Sequence, residues 1–183
     1  MGVTASKAGV WATSSDNAGR FLIARWNGTS WRRMPVPPGQ GLLEGVTTTA
    51  AHGGWAVGTR GVPAPDGKPH SAILRWNGAR WSAVPTPAGP DELIGVSSAS
   101  ARGAWAVGAS RLFTRHVRLV ILRWNGVTWN VARGPRLAGA SLLAGVAARS
   151  ARSAWAVGTS LRPRTALTLV LHWNGTRWKV VPS

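Results

Sequence analysis

Short apolar segments recur along the whole chain, separated by polar and turn-forming residues. SAILRW at 71–76 and LVILRW at 119–124 are each followed by Asn-Gly and then, after two further residues, by another tryptophan. Brief runs rich in β-branched and aromatic residues, bounded by turn residues, are typical of strands joined in hairpins. No segment shows the sustained 3.6-residue spacing of an amphipathic helix. The pattern therefore predicts an all-β protein.

The tryptophans form a fourfold repeat. One series begins the word WNG, a second follows five residues later, and a third lies in WAT or WAVG. Together they account for all 12 tryptophans: Trp26, Trp76, Trp124 and Trp173; Trp31, Trp81, Trp129 and Trp178; and Trp11, Trp55, Trp105 and Trp155. Gly-Val pairs beginning at Gly2, Gly45, Gly95 and Gly145 open units that are spaced by 43, 50 and 50 residues. A period of this length indicates a repeat architecture.

Each unit divides into four short strands, and one such sheet is too small to bury its own tryptophans. Stacked copies bury them, so stability comes from the interfaces and the 12 tryptophans are predicted to form the structural core. The first strand of each unit is built from small residues, which makes a wedge and favours a ring over a solenoid. We therefore predict a single β-propeller domain, 1–183, with four four-stranded blades of about 43–50 residues at about 1–40, 41–90, 91–140 and 141–183.

The ends of the chain leave two interpretations of this ring. Units two to four have Leu-x before Gly-Val, the first has only Met1, and the chain stops at VVPS, so it begins and ends at nearly the same phase. Either four blades close by side-chain packing alone, or they are part of a propeller of six to eight blades. The second interpretation is favoured. An open ring exposes apolar surface, so we expect self-association or further blades.

Two geometries fit the WNG hairpin. Asn-Gly suits the two positive-φ positions of a type I′ turn, and with Asn77 and Gly78 there, Trp76 faces Ala79 and is the diagonal neighbour of Trp81. A wider four-residue loop places the two tryptophans directly opposite. Both geometries put the two indoles on one face of the sheet.

The residue before each WNG tryptophan is predicted to have a structural role. It points to the opposite face of the hairpin from its neighbour, where a long cationic side chain packs between blades or stacks on an indole. These residues are Arg25, Arg75, Arg123 and His172.

The repeat resembles the kelch family and galactose-oxidase-like propellers. AWAVG takes the place of the family's Gly-Gly strand, LRWNG that of its aromatic turn, and Trp81 or Trp129 that of its final tryptophan. One glycine replaces the doublet, Trp-Asn-Gly replaces Tyr-Asp-Pro, and tyrosine is absent. The chain is more similar still to the Trp-rich repeats of uncharacterised, often exported, proteins of GC-rich bacteria. That resemblance implies an extracellular or cell-envelope protein, although this chain carries no signal-peptide pattern.

The variable loops indicate which face of the ring binds. The segment between the second-strand tryptophan and the WNG tryptophan spans 15, 21, 19 and 18 residues, whereas the WNG hairpin has constant length. Variable loops carry binding, and constant turns serve the scaffold. Two of these loops supply the candidate ligand-binding residues, which are Arg111, Arg115, His116, Arg118, Arg162 and Arg164.

The chain is strongly basic, with 22 Lys and Arg against 5 acidic residues and a net charge of +17. Such a field attracts polyanions. The cations are spread along the chain without a continuous basic tract, however, and a GC-rich genome favours arginine codons. A protein or glycan partner is therefore expected, and nucleic acid is possible but not favoured.

Residues for catalysis or metal binding are sparse. The histidines, His52, His70, His116 and His172, are isolated, and there is no cysteine. The acids are Asp16, Glu44, Asp66, Asp91 and Glu92, and the last blade has Ala144 where Glu44 precedes its Gly-Val pair. The glycines of WAVG and WNG are interpreted as strand ends and turns. We predict no catalytic residue, metal or cofactor, and hence no enzyme.

These observations favour a non-enzymatic propeller scaffold that binds a macromolecular partner through its variable-loop face. A glycan-binding lectin-like propeller is one alternative, because tryptophans stack on sugars and WNGxxW is similar to WDGxGW of small fucose-binding propeller lectins. A binder of nucleic acid or anionic glycans is the other. No apolar run approaches the roughly 18 residues of a membrane span.

Overall fold

Four antiparallel sheets of four strands follow one another along the chain. The computed structural model describes residues 1–7, 9–49, 53–61, 69–89, 92–111, 114, 116–162 and 165–182. Each sheet contains four consecutive strands, and their order in space is their order in sequence. No helix occurs within these ranges. The prediction of an all-β chain with four four-stranded blades is confirmed.

The strand bounds follow the repeat. Blade 1 contains β1 (Gly2–Ser6), β2 (Gly9–Ser15), β3 (Phe21–Trp26) and β4 (Trp31–Arg33). Blade 2 contains β5 (Gly41–Thr49), β6 (Gly53–Arg60), β7 (His70–Trp76) and β8 (Trp81–Ala83). Blade 3 contains β9 (Glu92–Ser100), β10 (Gly103–Ser110), β11 (Arg118–Trp124) and β12 (Trp129–Val131). Blade 4 contains β13 (Ala140–Ser150), β14 (Ser153–Arg162), β15 (Thr165–Trp173) and β16 (Trp178–Val181).

Each blade carries one tryptophan on one face and two on the other. In blade 2 the second-strand Trp55 lies opposite Arg75, on the single-Trp face. The hairpin residues Trp76 and Trp81 pair with each other on the reverse, which we call the paired-Trp face. Successive residues of a strand point to opposite sides of the sheet. Arg75 and Trp76 are neighbours in sequence, so their side chains lie on opposite faces.

The blades stack by inserting the single tryptophan of one blade against the pair of the next. Trp105 of blade 3 lies with its ring centroid 5.0 Å from each of Trp173 and Trp178 in blade 4. The contact with Trp173 is tilted by 56°, and that with Trp178 is edge-on at 84°, which is the geometry that aromatic quadrupoles favour. The same three-ring cluster joins blades 1 and 2 and blades 2 and 3.

Most of the tryptophan surface is buried at these three junctions. Nine of the 12 tryptophans are buried, Trp26 is partly buried, and Trp31 and Trp155 are exposed. Three apolar clusters coincide with the junctions between blades 1 and 2, 2 and 3, and 3 and 4. Aromatic burial between blades is therefore the main apolar contribution to the core.

The WNG hairpin uses the wider of the two predicted loops. Trp76 pairs directly with Trp81, so the type I′ geometry with Trp76 facing Ala79 is wrong. The reason is the Asn77 side chain, whose Oδ1 accepts the backbone N–H groups of Ala79 at 3.0 Å and Arg80 at 2.9 Å. This Asx turn satisfies the loop backbone, and Gly78 supplies the positive φ, 99°.

Glycine lets the innermost strands approach each other backbone to backbone. A Cβ on Gly45 of β5 would lie 2.8 Å from the carbonyl oxygen of Ile94 in β9, and one on Gly95 would lie 3.0 Å from the Cα of Gly145. The first glycine of each of the first three repeats is thus a packing requirement at the centre of the array, because the next blade's backbone lies against it. The prediction that the strands of small residues lie innermost is confirmed.

The WAVG glycine lies within its strand, contrary to the prediction that it ends one. In β10, Val107 pairs with Gly95 and Gly108 with Leu93, so Ile94 forms a β-bulge in β9. A Cβ on Gly108 would collide with the backbone carbonyl of Glu92. Blades 2 and 4 repeat this arrangement at Gly58 and Gly158. The glycine is required because the backbone of the bulged first strand passes too close to it to leave room for a Cβ.

We predict that Gly108→Ala destabilises the protein by roughly 1 to 3 kcal/mol, because the added methyl group meets rigid backbone. Gly103→Ala in the same strand is the matched control, since its Cβ would meet only the Ser100 Oγ at 3.4 Å. Urea denaturation followed by tryptophan fluorescence measures both. Equal stability of the two variants would contradict the bulge explanation.

Candidate functional site

The two faces of the array have different connections. The turns between the first and second strands of each blade and the WNG hairpins lie on one side, which we call the hairpin face. The loops between the second and third strands and the connections to the next blade lie on the other, the loop face. The candidate ligand-binding residues that the structure describes, Arg111, His116, Arg118 and Arg162, lie on the loop face.

The loop of blade 3 is held by backbone hydrogen bonds. Arg111 has a left-handed conformation, φ 58°, which is uncommon for a non-glycine residue. Its carbonyl oxygen accepts the Thr114 N–H at 3.0 Å and the Thr114 hydroxyl at 2.9 Å. The Thr114 Oγ1 in turn accepts the His116 N–H at 3.1 Å. This turn leaves the Arg111 and His116 side chains exposed to solvent.

A basic cleft of 400 Å³ lies between the start of β11 and the connection from blade 3 to blade 4. Arg118 and Arg136 both line it, with Leu119, Leu137 and Ser141. The Ser141 N–H donates to the Val117 carbonyl oxygen at 3.1 Å, which ties blade 4 to the loop that precedes β11. His116 and Arg118 also line a smaller adjoining cleft of 130 Å³. No carboxylate is among the described residues that line the two clefts.

A second loop-face cleft, of 720 Å³, lies at the equivalent place on blade 2. Arg60 and His70 line it, with Gln40, Pro85 and Thr86. His70 begins β7 as Arg118 begins β11, each six residues before the WNG tryptophan. The N–H of Gly61 donates to the Gln40 carbonyl oxygen at 2.8 Å, so this rim is also held by backbone contact.

The structure brings together only part of the predicted set. His116 and Arg118 share a cleft, and Arg111 lies in the same loop. Arg162 is exposed at the end of β14 and lines none of these clefts. Arg115 and Arg164 lie outside the described residues.

Three basic lining residues were not among the named candidates, namely Arg60, His70 and Arg136, although Arg60 and His70 belong to the blade 2 variable loop that the sequence placed on the binding face. The sequence did contain a signal for His70, because His70 and Arg118 lie the same number of residues before the WNG tryptophan of their blades. Arg136 belongs to the connection between blades 3 and 4. The alternating strand directions had already placed the connections between blades on the loop face.

The residue before each WNG tryptophan stacks on indole, which confirms that prediction. The Cζ of Arg75 lies 5.6 Å from the ring centroid of Trp55 and 5.4 Å from that of Trp124 in the next blade. Arg123 bridges Trp105 and Trp173 in the same way, and Arg25 lies over Trp11. His172 stacks on Trp155 with centroids 4.3 Å apart. Arg75 and Arg123 thus each bridge one junction between blades, whereas His172 stacks on the tryptophan of the uncovered last blade.

Two acids have shifted pKa values with different causes. The backbone N–H of Arg20, with the guanidinium groups of Arg33 and Arg20, holds the pKa of Asp16 well below its usual range. Asp16 pairs with both arginines at 3.0 Å. Burial, followed by the nearby Glu92 charge and a hydrogen bond with it, raises the pKa of Glu44 from 4.5 to about 7, against the opposing charge of the chain's amino terminus.

Other kinds of site find little support within the described ranges. No group of three or more His, Asp or Glu side chains is placed there to hold a metal ion. Nor is any helix in that part of the chain long and apolar enough to cross a membrane.

The comparisons with known proteins identify the fold. No family model matches the chain, and no curated protein sequence matches it. The solved structure described as YCF48 bound to D1 peptide is similar, with a TM-score of 0.51 at 14% identity. The match covers 92% of this chain and 46% of that one, so this chain spans about half the length of that propeller protein. The β-propeller prediction is confirmed at the level of fold.

The raised pKa of Glu44 predicts a pH-dependent stability. The folded protein retains this proton between pH 4.5 and about 7, whereas the unfolded chain releases it. Raising the pH across that window therefore lowers the free energy of unfolding. Glu44→Gln, which cannot ionise, is expected to become progressively more stable than the wild type as the pH rises through the window.

Urea midpoints of both proteins across this window measure the effect. Their difference cancels the titration of the histidines, which both proteins share. A difference that does not change with pH would show that Glu44 has an ordinary pKa.

Proposed function

We propose that this protein is a non-enzymatic β-propeller scaffold that binds a macromolecular partner, an acidic polypeptide segment, through its loop face. The observation that carries the proposal is the cleft beside β11. There Arg118 and Arg136 lie without a carboxylate, between backbone segments held by hydrogen bonds. A fixed concave surface of one charge is suited to a partner of the opposite charge.

The choice of a polypeptide rests on the shape and chemistry of the clefts. The walls of the cleft beside β11 combine the apolar side chains of Leu119 and Leu137 with Gly134 and Pro135. Such walls accommodate alternating apolar and acidic side chains of an extended segment. The similar propeller is described as bound to a peptide, which supports this class of partner.

A polyanion binder is the second candidate, and the net charge of +17 favours it. Against it, basic residues occur on both faces, with Arg152 and Arg177 on the hairpin face, so no single track for a nucleic-acid backbone is singled out. The lectin alternative loses its main support. The exposed tryptophans, Trp31 and Trp155, lie on the first and last blades and do not recur once per blade.

Several finer predictions from the sequence belong to the same proposal. They are the kelch-like type of the repeat, an exported protein of a GC-rich bacterium, and the lack of catalytic activity. The repeated Trp-rich hairpin supports the first two by resemblance. The two loop-face clefts, whose described lining residues are mostly glycine and apolar residues, support the third.

We expect a fluorescein-labelled peptide of alternating glutamate and leucine to bind the wild type. The double variant Arg118→Ser/Arg136→Ser is expected to raise the Kd of this peptide roughly tenfold. Arg152→Ser/Arg177→Ser is the matched control, because it removes the same charge from the hairpin face. The control is expected to stay within about twofold of the wild type. Fluorescence anisotropy at constant ionic strength measures all three.

The other outcomes discriminate between the candidates. Equal weakening of peptide binding by the two double variants would show that diffuse electrostatic attraction, rather than the cleft, holds the peptide. Tight binding of duplex DNA or heparin, with no binding of the acidic peptide, would favour the polyanion binder.

A further inference from the structure

The single-Trp face of blade 4 has no blade packed against it. Trp155 and Val157 on this face are 43% and 47% exposed, whereas the equivalent Trp105 and Val107 of blade 3 are 3% and 0% exposed. The backbone register is the same in the two blades, since each valine pairs with the first glycine of its repeat. This face is therefore built as a junction surface but is uncovered.

The paired-Trp face of blade 1 is uncovered in the complementary way. Trp31 is 49% exposed and Val3 70% exposed, against 5% for Trp129 and 8% for Val96 at the equivalent positions of blade 3. Trp26 and Trp31 contact each other with centroids 5.7 Å apart, as in the other hairpins. The pair is thus already arranged as in the buried junctions.

The two uncovered surfaces are the two halves of one junction. Within the chain, a single-Trp face covers a paired-Trp face three times, each with centroid distances between 4.7 and 5.7 Å. The chain presents one unused copy of each half, one on the first blade and one on the last. Neither half covers the other within the molecule, because both Trp31 and Trp155 are about half exposed.

We propose that a second copy of this chain covers both faces, in a head-to-tail dimer that closes a ring of eight blades. Trp155 of each copy inserts against Trp26 and Trp31 of the other. Each half of the junction is used once per copy, so the closed ring leaves neither face exposed, whereas an arrangement that did not close would polymerise.

Three features favour this occupant. The contact repeats one that the chain already makes three times between its own blades. His172 takes the place of the arginine that stacks at the internal junctions, so this contact brings one strong cation fewer between two basic chains. Eight blades also lie within the usual range of four to eight, and two copies have about the length of the similar propeller, of which one copy covers 46%.

The test uses two single variants and their mixture. Trp155→Glu damages both junctions of its own dimer, and so does Trp31→Glu, because each junction uses one face of each type. Each variant alone is therefore expected to weaken dimerisation at least ~30-fold, as loss of a central aromatic anchor does. In a mixture, one junction combines the intact faces of the two variants, so a mixed dimer should form. Sedimentation velocity from about 1 to about 100 µM detects these species.

The wild type should sediment at twice the 19.2 kDa of the chain. Val127→Glu is the control for added charge, because Val127 is 79% exposed in a hairpin loop away from both faces, and it should remain dimeric. Circular dichroism of each variant verifies the β-sheet fold. A monomeric wild type, an open polymer, disruption by only one of the two variants, or a mixture that stays monomeric would overturn the proposal.

Discussion

The packing of one indole from each of blades 1 to 3 against the two hairpin indoles of the next blade is the contact on which this structure depends. A four-stranded sheet of this size has too little apolar surface to fold alone, and here most of that surface lies on its two flat sides. The contact is directional, because one face offers a single ring and the other a pair. It therefore sets both the order of the blades and the direction in which each blade turns its single-Trp face.

Close backbone contacts at the centre complement these aromatic junctions at the outside. Gly45 and Gly95 bring the inner strands together, and the bulge opposite Gly108 bends its sheet near the centre. Small residues inside and tryptophans outside give each blade the shape of a wedge. Apolar packing along the two sides of an internal blade is supplemented on the loop face by backbone hydrogen bonds, such as that from the Ser141 N–H to the Val117 carbonyl oxygen. The loops between the second and third strands differ in length from blade to blade.

The arginine side chains lie in two different settings. Arg75 and Arg123 lie over pairs of indoles, where the cation covers the edge of a junction and contributes to stability. Arg118 and Arg136 instead line an open cleft. Asp16, which pairs with two arginines, shows what a carboxylate gains in such surroundings. An acidic partner would meet the same chemistry at the clefts, which is the physical basis for the proposed function.

The repeat alone determined the strands, their number and the burial of most tryptophans, because a short period and alternating side chains are local properties. It also placed Arg75 on the opposite face from Trp76. The tertiary structure decided the features that depend on contacts between residues distant in sequence. Gly108 faces a bulge in β9 that no local pattern announces, and the Asn77 side chain selected the wider loop by bonding the backbone. Arg136 joined Arg118 only when two segments met across a blade boundary. Trp31 and Trp155 occupy the same repeat positions as buried tryptophans. Their exposure depends on which blades are neighbours, and that is a property of the assembled array.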